Sequence, residues 1–438
     1  MSGLAGRIRG ADPHRRFGTL RKARDALLEV DGLGGAATLG SRLRIEGRDG
    51  PVEAEVAAID GQTVSAMAFD ATDALVSGVR VELLPGISAL RPCDAWLGRV
   101  VDGLGRPLDA GGPLPFGLVP APFRSTPPPA AARGRVGPLL ATGVRALDCF
   151  APLCEGQRLG LFAGSGVGKS VLLSMLARWS DCDVAVIGLV GERGREVQEF
   201  IEDDLGPEGL ARSIVVVATS DSPAVLRRQA AFTTLALAEH FRDRGLRVLC
   251  LMDSVTRFAM AQREIGLACG EPPATRGFTP SVFAELPRLL ERAGPGLAGQ
   301  GSITGLFTVL VDGDDHDEPI ADAVRGILDG HVVLSRRIAE RGRYPAMDLL
   351  RSVSRTLPHC LDPQADRTRL RAREVLATWA DMEELVRLGA YAPGASAEVD
   401  RAIDLAPRIE AMVAQGKDDR GDPAQAFADL ADILGETG

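Results

Sequence analysis

Aromatic residues are scarce in this 438-residue chain, at 4% with 3 Trp and 2 Tyr, so few platforms exist on which unpaired bases could stack. Basic charge is not in excess either. Lys and Arg total 50 against 59 Asp and Glu, a formal net charge of −9, which argues against sequence-independent nucleic-acid binding by the chain as a whole. No run approaches the roughly 20 consecutive apolar residues of a membrane span. The opening Met1-Ser2-Gly3-Leu4-Ala5-Gly6-Arg7 lacks the apolar stretch of a secretory signal, so a cytoplasmic protein is expected. Seven scattered cysteines (Cys93, Cys149, Cys154, Cys182, Cys250, Cys269, Cys360) form no CxxC pair and have no His at ligand spacing, which argues against a zinc site and a disulfide framework. Reduced, mostly buried thiols are expected.

What is present is core material. Apolar residues at 45% and charged residues at 25% match ordinary globular domains, and the length predicts two or three of them. Residues 1–24 carry Arg7, Arg9, Arg15, Arg16, Arg21, Lys22 and Arg24 against only Asp12. Leu4 and Ile8, then Leu20, Ala23, Leu27 and Leu28, recur at helical spacings, which predicts a short amphipathic helix for partner docking or a membrane surface, with a solvated tail as the plain alternative. Over residues 25–95 short β-type runs (Arg42 to Ile45, Val52 to Val56, Thr63 to Met67, Val79 to Leu83), parted by Gly- and Asp-rich turns, predict a small β-barrel. Eight prolines between Pro107 and Pro129 exclude a regular helix or central strand there and predict a linker, or a wrap over the next domain. From Gln157 to Val311, strand-length apolar runs alternate with helical stretches, which predicts a parallel sheet covered by helices, in a domain placed at 96–361. Residues 362–438 read as helical.

Ala163-Gly164-Ser165-Gly166-Val167-Gly168-Lys169-Ser170 stands between a predicted strand and a predicted helix that opens with Val171, the context of a phosphate-binding loop. Its first position, Ala163, departs from the GxxxxGK[ST] pattern. Successive glycines let backbone N–H groups turn toward a phosphate. Lys169 then reaches the β- and γ-phosphates, and the Ser170 hydroxyl ligates Mg²⁺. Asp253 ends the run Val248 to Met252, where a carboxylate can hold the Mg²⁺ shell through water. Glu192 follows the run Val184 to Val190 and can polarise an attacking water. Taken singly, either carboxylate is as readily a helix N-terminal charge or a surface ion pair.

With these residues in place the chain resembles the rotary-ATPase-related superfamily, and more closely the ATPases of flagellar and type III protein export. The likeness is carried by Phe162 to Ser170, Gly191-Glu192-Arg193-Gly194-Arg195-Glu196-Val197, Asp253 to Glu264, Gly270 to Thr275, Gly313-Asp314-Asp315, Leu328 to His331, Tyr344 to Asp348 and Ser352 to Arg355. It extends from about residue 42 to 434 and is most specific over 157–360. Export ATPases share Ala163, and the N-terminal two dozen residues match poorly.

The resemblance implies an α/β chain with an N-terminal barrel, a central RecA-like P-loop domain and a C-terminal helical domain, hydrolysing ATP with Mg²⁺. Gly164, Ser165, Gly166, Val167, Gly168, Lys169, Ser170 and Val171 would bind the nucleotide, Arg193 and Arg257 would hold its phosphate side, and Tyr344 would stack on adenine. Arg355 would be the arginine finger that enters a neighbouring subunit's site. Rotary synthase rings divide the glutamate and the arginine between sister subunits. Here Glu192 and Arg355 coexist, so a homo-hexamer is implied. The implied partners are a stator-like regulator at the N-terminus, a central stalk, the membrane export gate and chaperone–substrate complexes, at the inner face of the cytoplasmic membrane. Virulence-type secretion shares every motif. A non-hydrolysing nucleotide-binding ring subunit is opposed by Glu192, and a nucleic-acid translocase by charge and composition.

Overall fold

A computed structural model describes residues 15–86, 88–311 and 318–436. Six antiparallel strands, β1 (Arg16–Arg24), β2 (Leu27–Asp31), β3 (Arg42–Gly47), β4 (Gly50–Asp60), β5 (Thr63–Ala68) and β6 (Arg80–Leu83), close into a barrel in the order β1-β2-β5-β4-β3-β6. Alternating side chains fill it, among them Leu20, Leu28, Val30, Leu43, Ile45, Val64 and Val81, all fully buried.

The amphipathic helix expected within residues 4–28 is not found where the structure describes the chain. Arg16–Arg24 and Leu27–Asp31 are strands, and the barrel begins at Arg16 rather than near residue 25. Only Leu20 of β1 is fully inward, so the strand shows no clean period of two; its place is decided by pairing with β6, where Arg16 faces Leu83 across the closure. Gly18 lets β1 lie close against β2, because a Cβ there would meet the Asp31 carbonyl oxygen at 2.5 Å. Leu4, Ile8, Arg7 and Arg9 lie outside the described residues.

The Pro107–Pro129 stretch is a packed wrap. Leu114, Ala121 and Phe123 enter the main core. Trp96 Nε1 donates to the Pro115 carbonyl, Ser125 Oγ donates to Glu239 Oε2 at 2.6 Å, and the fully buried Arg292 donates both to the Phe123 carbonyl and to Glu239.

The central sheet comprises β7 (Val100–Asp102), β8 (Arg158–Ala163), β9 (Val184–Glu192), β10 (Ser213–Thr219), β11 (Arg247–Asp253), β12 (Ser302–Leu310), β13 (Gly330–Leu334) and β14 (Val353–Ser354). Their spatial order is β14-β13-β8-β12-β11-β9-β10-β7; all pair parallel except β14, and a two-residue strand at Gly294–Pro295 also flanks β12 antiparallel. Its strands are apolar on both faces because helices cover both, which is the reason for the near-continuous hydrophobic runs. The covering helices include α1 (Lys169–Trp179), α2 (Gly194–Glu199), α3 (Ala224–Asp243), α4 (Val255–Ala268), α5 (Pro280–Leu290) and α6 (Pro319–Ile327). Three further helices, α7 (Pro363–Arg387), α8 (Ala397–Val413) and α9 (Pro423–Leu434), pack together and join the core on the α1 face. Among the described residues no helix is long and apolar enough to cross a membrane.

Candidate active site

The loop between β8 and α1 is built as its glycines require. Gly166 and Gly168 have φ of 76° and 86°, a region that L side chains rarely adopt, and α1 begins without a side-chain cap, so its first N–H groups face the loop's concavity. A cleft of about 450 Å³ opens over this loop, walled by Glu192, Arg193, Glu196, Arg257 and Val311 as well as by the loop itself.

Parallel pairing brings the chemistry together. β9 and β11 are neighbours, so Glu192 and Asp253 end side by side at the same sheet edge as the loop after β8. Lys169 Nζ donates to Asp253 Oδ1 at 2.6 Å and lies 3.5 Å from Glu192 Oε1. Thr308 Oγ1, from β12, donates to the same Asp253 oxygen at 2.7 Å. Burial alone would lower the Lys169 ammonium, but the two carboxylates hold it above its usual value. Burial and then the Asp253 charge push Glu192 up to about 7, against the pull of Lys169. A glutamate poised there exchanges protons readily near neutral pH.

Arg193 is exposed and held by Glu196 at 2.7 Å, and this bond keeps the Glu196 carboxyl below its usual range. Arg257, at the start of α4, has an Nε that is buried without a hydrogen-bond partner among the described residues. That orphaned donor, the free N–H groups, Lys169 and the exposed Ser170 hydroxyl are what a polyphosphate with a divalent cation needs. The residues present therefore fit a nucleoside triphosphate carrying a divalent cation.

A second cleft of about 460 Å³ adjoins the loop, lined by Gly168, Val171, Met175, Tyr344, Pro345, Gln415 and Lys417. The Tyr344 ring lies so near Gly168 that a Cβ there would meet it at 3.2 Å. Gln415 N donates to the Tyr344 carbonyl at 2.7 Å, tying the chain after α8 to this wall.

Arg355 stands apart. It follows the edge strand β14, is exposed, and donates from its backbone to the Asp329 carbonyl and from Nη2 to the Arg325 carbonyl; it does not line its own phosphate cleft. Sequence reasoning left Glu196, Thr308 and the 415–417 wall without roles. Glu196 was visible inside the Gly191–Val197 motif, Thr308 is only one hydroxyl in an apolar strand, and residues 415–417 carry no local signal. Gly313, Asp314 and Asp315 lie outside the described residues.

Comparison with known proteins agrees with this geometry. Residues 143–354 match the ATP synthase alpha/beta family nucleotide-binding domain, and residues 361–432 match the T3SS EscN ATPase C-terminal domain. A flagellum-specific ATP synthase from Caulobacter vibrioides is 53% identical over 441 residues, covering 99% of both chains. A type 3 secretion system ATPase from Xanthomonas euvesicatoria is 47% identical, covering 92% of this chain and 91% of that one. The assembled ATPase EscN of enteropathogenic E. coli, solved in complex with its central stalk EscO, superposes with a TM-score of 0.87 at 38% identity, covering 95% of this chain and all of that one.

Proposed function

The chain belongs to the flagellum-specific ATP synthase family, and we propose from that premise that it is the ATP-hydrolysing ring of a flagellar protein-export apparatus. One observation carries the catalytic reading: Lys169, Asp253 and the near-neutral Glu192 converge over a phosphate-binding loop in a single chain. The loop from Gly164 to Ser170 and the start of α1 at Val171 cradle the triphosphate, with Lys169 turning from Asp253 toward the β- and γ-phosphates. Ser170 and Asp253 would hold Mg²⁺, which would supply charge neutralisation at the transferring phosphoryl group. Glu192 orients the attacking water and accepts its proton. Arg193 and Arg257 hold the phosphate side, and Tyr344 stacks on the base.

Arg355, outside its own cleft, is the charge donated to a neighbour's site, so every interface of a homomeric ring holds one glutamate and one arginine. The assembled EscN with its stalk supports a hexameric ring around a central stalk here. The 53% identity to a flagellum-specific ATP synthase over 99% of both chains supports flagellar export. The ring sits in the cytoplasm at the inner face of the membrane, where it unloads export substrates from chaperones at the export gate, with a regulator bound at the N-terminal residues.

ATP turnover per chain, measured with Mg²⁺ against protein concentration, tests the shared site. Turnover is expected to rise with concentration. Arg355→Ala and Glu192→Gln are each expected to bind nucleotide with turnover lost. Mixed one to one, they are expected to regain activity at roughly a quarter of interfaces, those pairing an intact glutamate with an intact arginine. A mixture as inactive as its parts would place the arginine's role elsewhere.

A further inference from the structure

Immediately after Arg355 the chain enters a polar network. Gln157, fully buried, donates to the Asp329 carbonyl and to Ser354 Oγ and accepts from Thr356 Oγ1 at 3.3 Å. The Arg355 backbone is thereby held between two anchored neighbours, Ser354 and Thr356. Thr356 Oγ1 also sits between two sulfurs, 3.3 Å from Cys154 Sγ and 3.5 Å from Cys360 Sγ. Thr356 Oγ1 accepts from Cys154 Sγ and donates to Cys360 Sγ, so one hydroxyl bridges the two thiols. Cys154 is fully buried on the short strand Leu153–Cys154, which pairs with Leu139–Leu140, whereas Cys360 is half-buried at the far end of the Arg355 segment.

We propose that Cys154 and Cys360 are a peroxide-oxidisable dithiol whose closure to a disulfide pins the Arg355 segment to the body of its subunit and slows ATP turnover. The pair is differentiated for this chemistry. The neighbouring Cys154, with Thr356 and the Arg369 charge, holds the Cys360 thiol below its usual value, while Cys154 is held well above. Burial raises the thiols of Cys149, Cys182, Cys250 and Cys269, and of the pair bridged by Thr356 the half-buried, lowered Cys360 is the nucleophile. Its thiolate attacks one oxygen of a hydroperoxide, the O–O bond breaks, and the departing hydroxide takes a proton to leave as water. Cys154 sulfur then attacks the Cys360 sulfenic acid; the S–S bond forms, and the hydroxyl leaves as a second water with the Cys154 proton. Two thiols lose two electrons and one peroxide gains them.

The effect on turnover rests on the reading of Arg355 as the donated charge, whereas the cross-link does not. The test treats the full-length chain with hydrogen peroxide, alkylates the remaining thiols and maps disulfides by mass spectrometry, with turnover measured before and after dithiothreitol. Wild type is expected to show a Cys154–Cys360 cross-link and a turnover loss of about tenfold or more, as a misplaced arginine donor requires, both reversed by the reductant. Cys360→Ser is expected to keep basal turnover and to resist peroxide. Both thiols still alkylated, or a mapped cross-link with unchanged turnover, would overturn the proposal. Arg355→Ala separates the two readings: turnover retained in that variant would remove the donor assignment, while the map would still decide whether the dithiol exists.

Discussion

Glu192 carries a pH signature inside the phosphate cleft. Its carboxyl rises from an ordinary 4.5 to about 7 because burial, then Asp253, disfavour the charged form. The folded state therefore holds a proton that the unfolded state has released between those values, and this group's contribution to stability falls as pH rises across that window. Above about 7 the fold carries a buried, incompletely paired charge. Glu192→Gln removes it, so the variant is expected to be more stable than wild type at pH 8 by about 1–3 kcal/mol, with the gap closing toward pH 5. Thermal unfolding across that range checks this, and a gap independent of pH would mean that burial does not govern Glu192. The same variant is expected to lose about 10²–10⁴ in turnover. Lys169, Ser170, Glu192 and Asp253 were legible in sequence because a phosphate loop and strand-end carboxylates occupy fixed places in a parallel sheet. Thr308 was not, because its partner Asp253 comes from a neighbouring strand far off in sequence.

At the scale of elements, the site depends on how closely α3 lies on β9. Gly188, in the middle of β9, faces Thr234 of α3, and a Cβ there would sit 2.4 Å from the Thr234 hydroxyl oxygen. Gly188→Ala is expected to cost about 1–3 kcal/mol through overpacking and to weaken nucleotide binding, since β9 ends in Glu192. Adding Thr234→Ala is expected to restore most of the stability; urea unfolding of the single and double variants measures it, and no recovery would place the strain elsewhere. The sheet strands were recognisable because they are buried on both faces and read as apolar runs. The first barrel strand was not, because eight of its nine residues are exposed or half-buried and its register comes from β6, about sixty residues later.

For the whole molecule, the position of β1 separates two parts of the basic N-terminal segment. Removing residues 1–24 takes away Arg16–Arg24 and opens the barrel between β2 and β6, so that truncation is expected to lower the melting temperature and promote aggregation. Removing residues 1–14 leaves every barrel strand in place and is expected to preserve melting and basal turnover while weakening regulator or membrane association. Calorimetry and a pull-down of the two truncations decide between these roles, and equal melting of both would mean that β1 is dispensable. Sequence alone determined the phosphate loop, the two strand-end carboxylates and the order of barrel, sheet and helices, because each is written in local spacing or residue type. Tertiary structure alone decided the barrel's closure, the wrap over Glu239 and Arg292, the 415–417 wall beside Tyr344, and the meeting of Cys154 with Cys360. Each of these joins residues distant in sequence, where strand pairing and core packing, rather than local preference, select the neighbours.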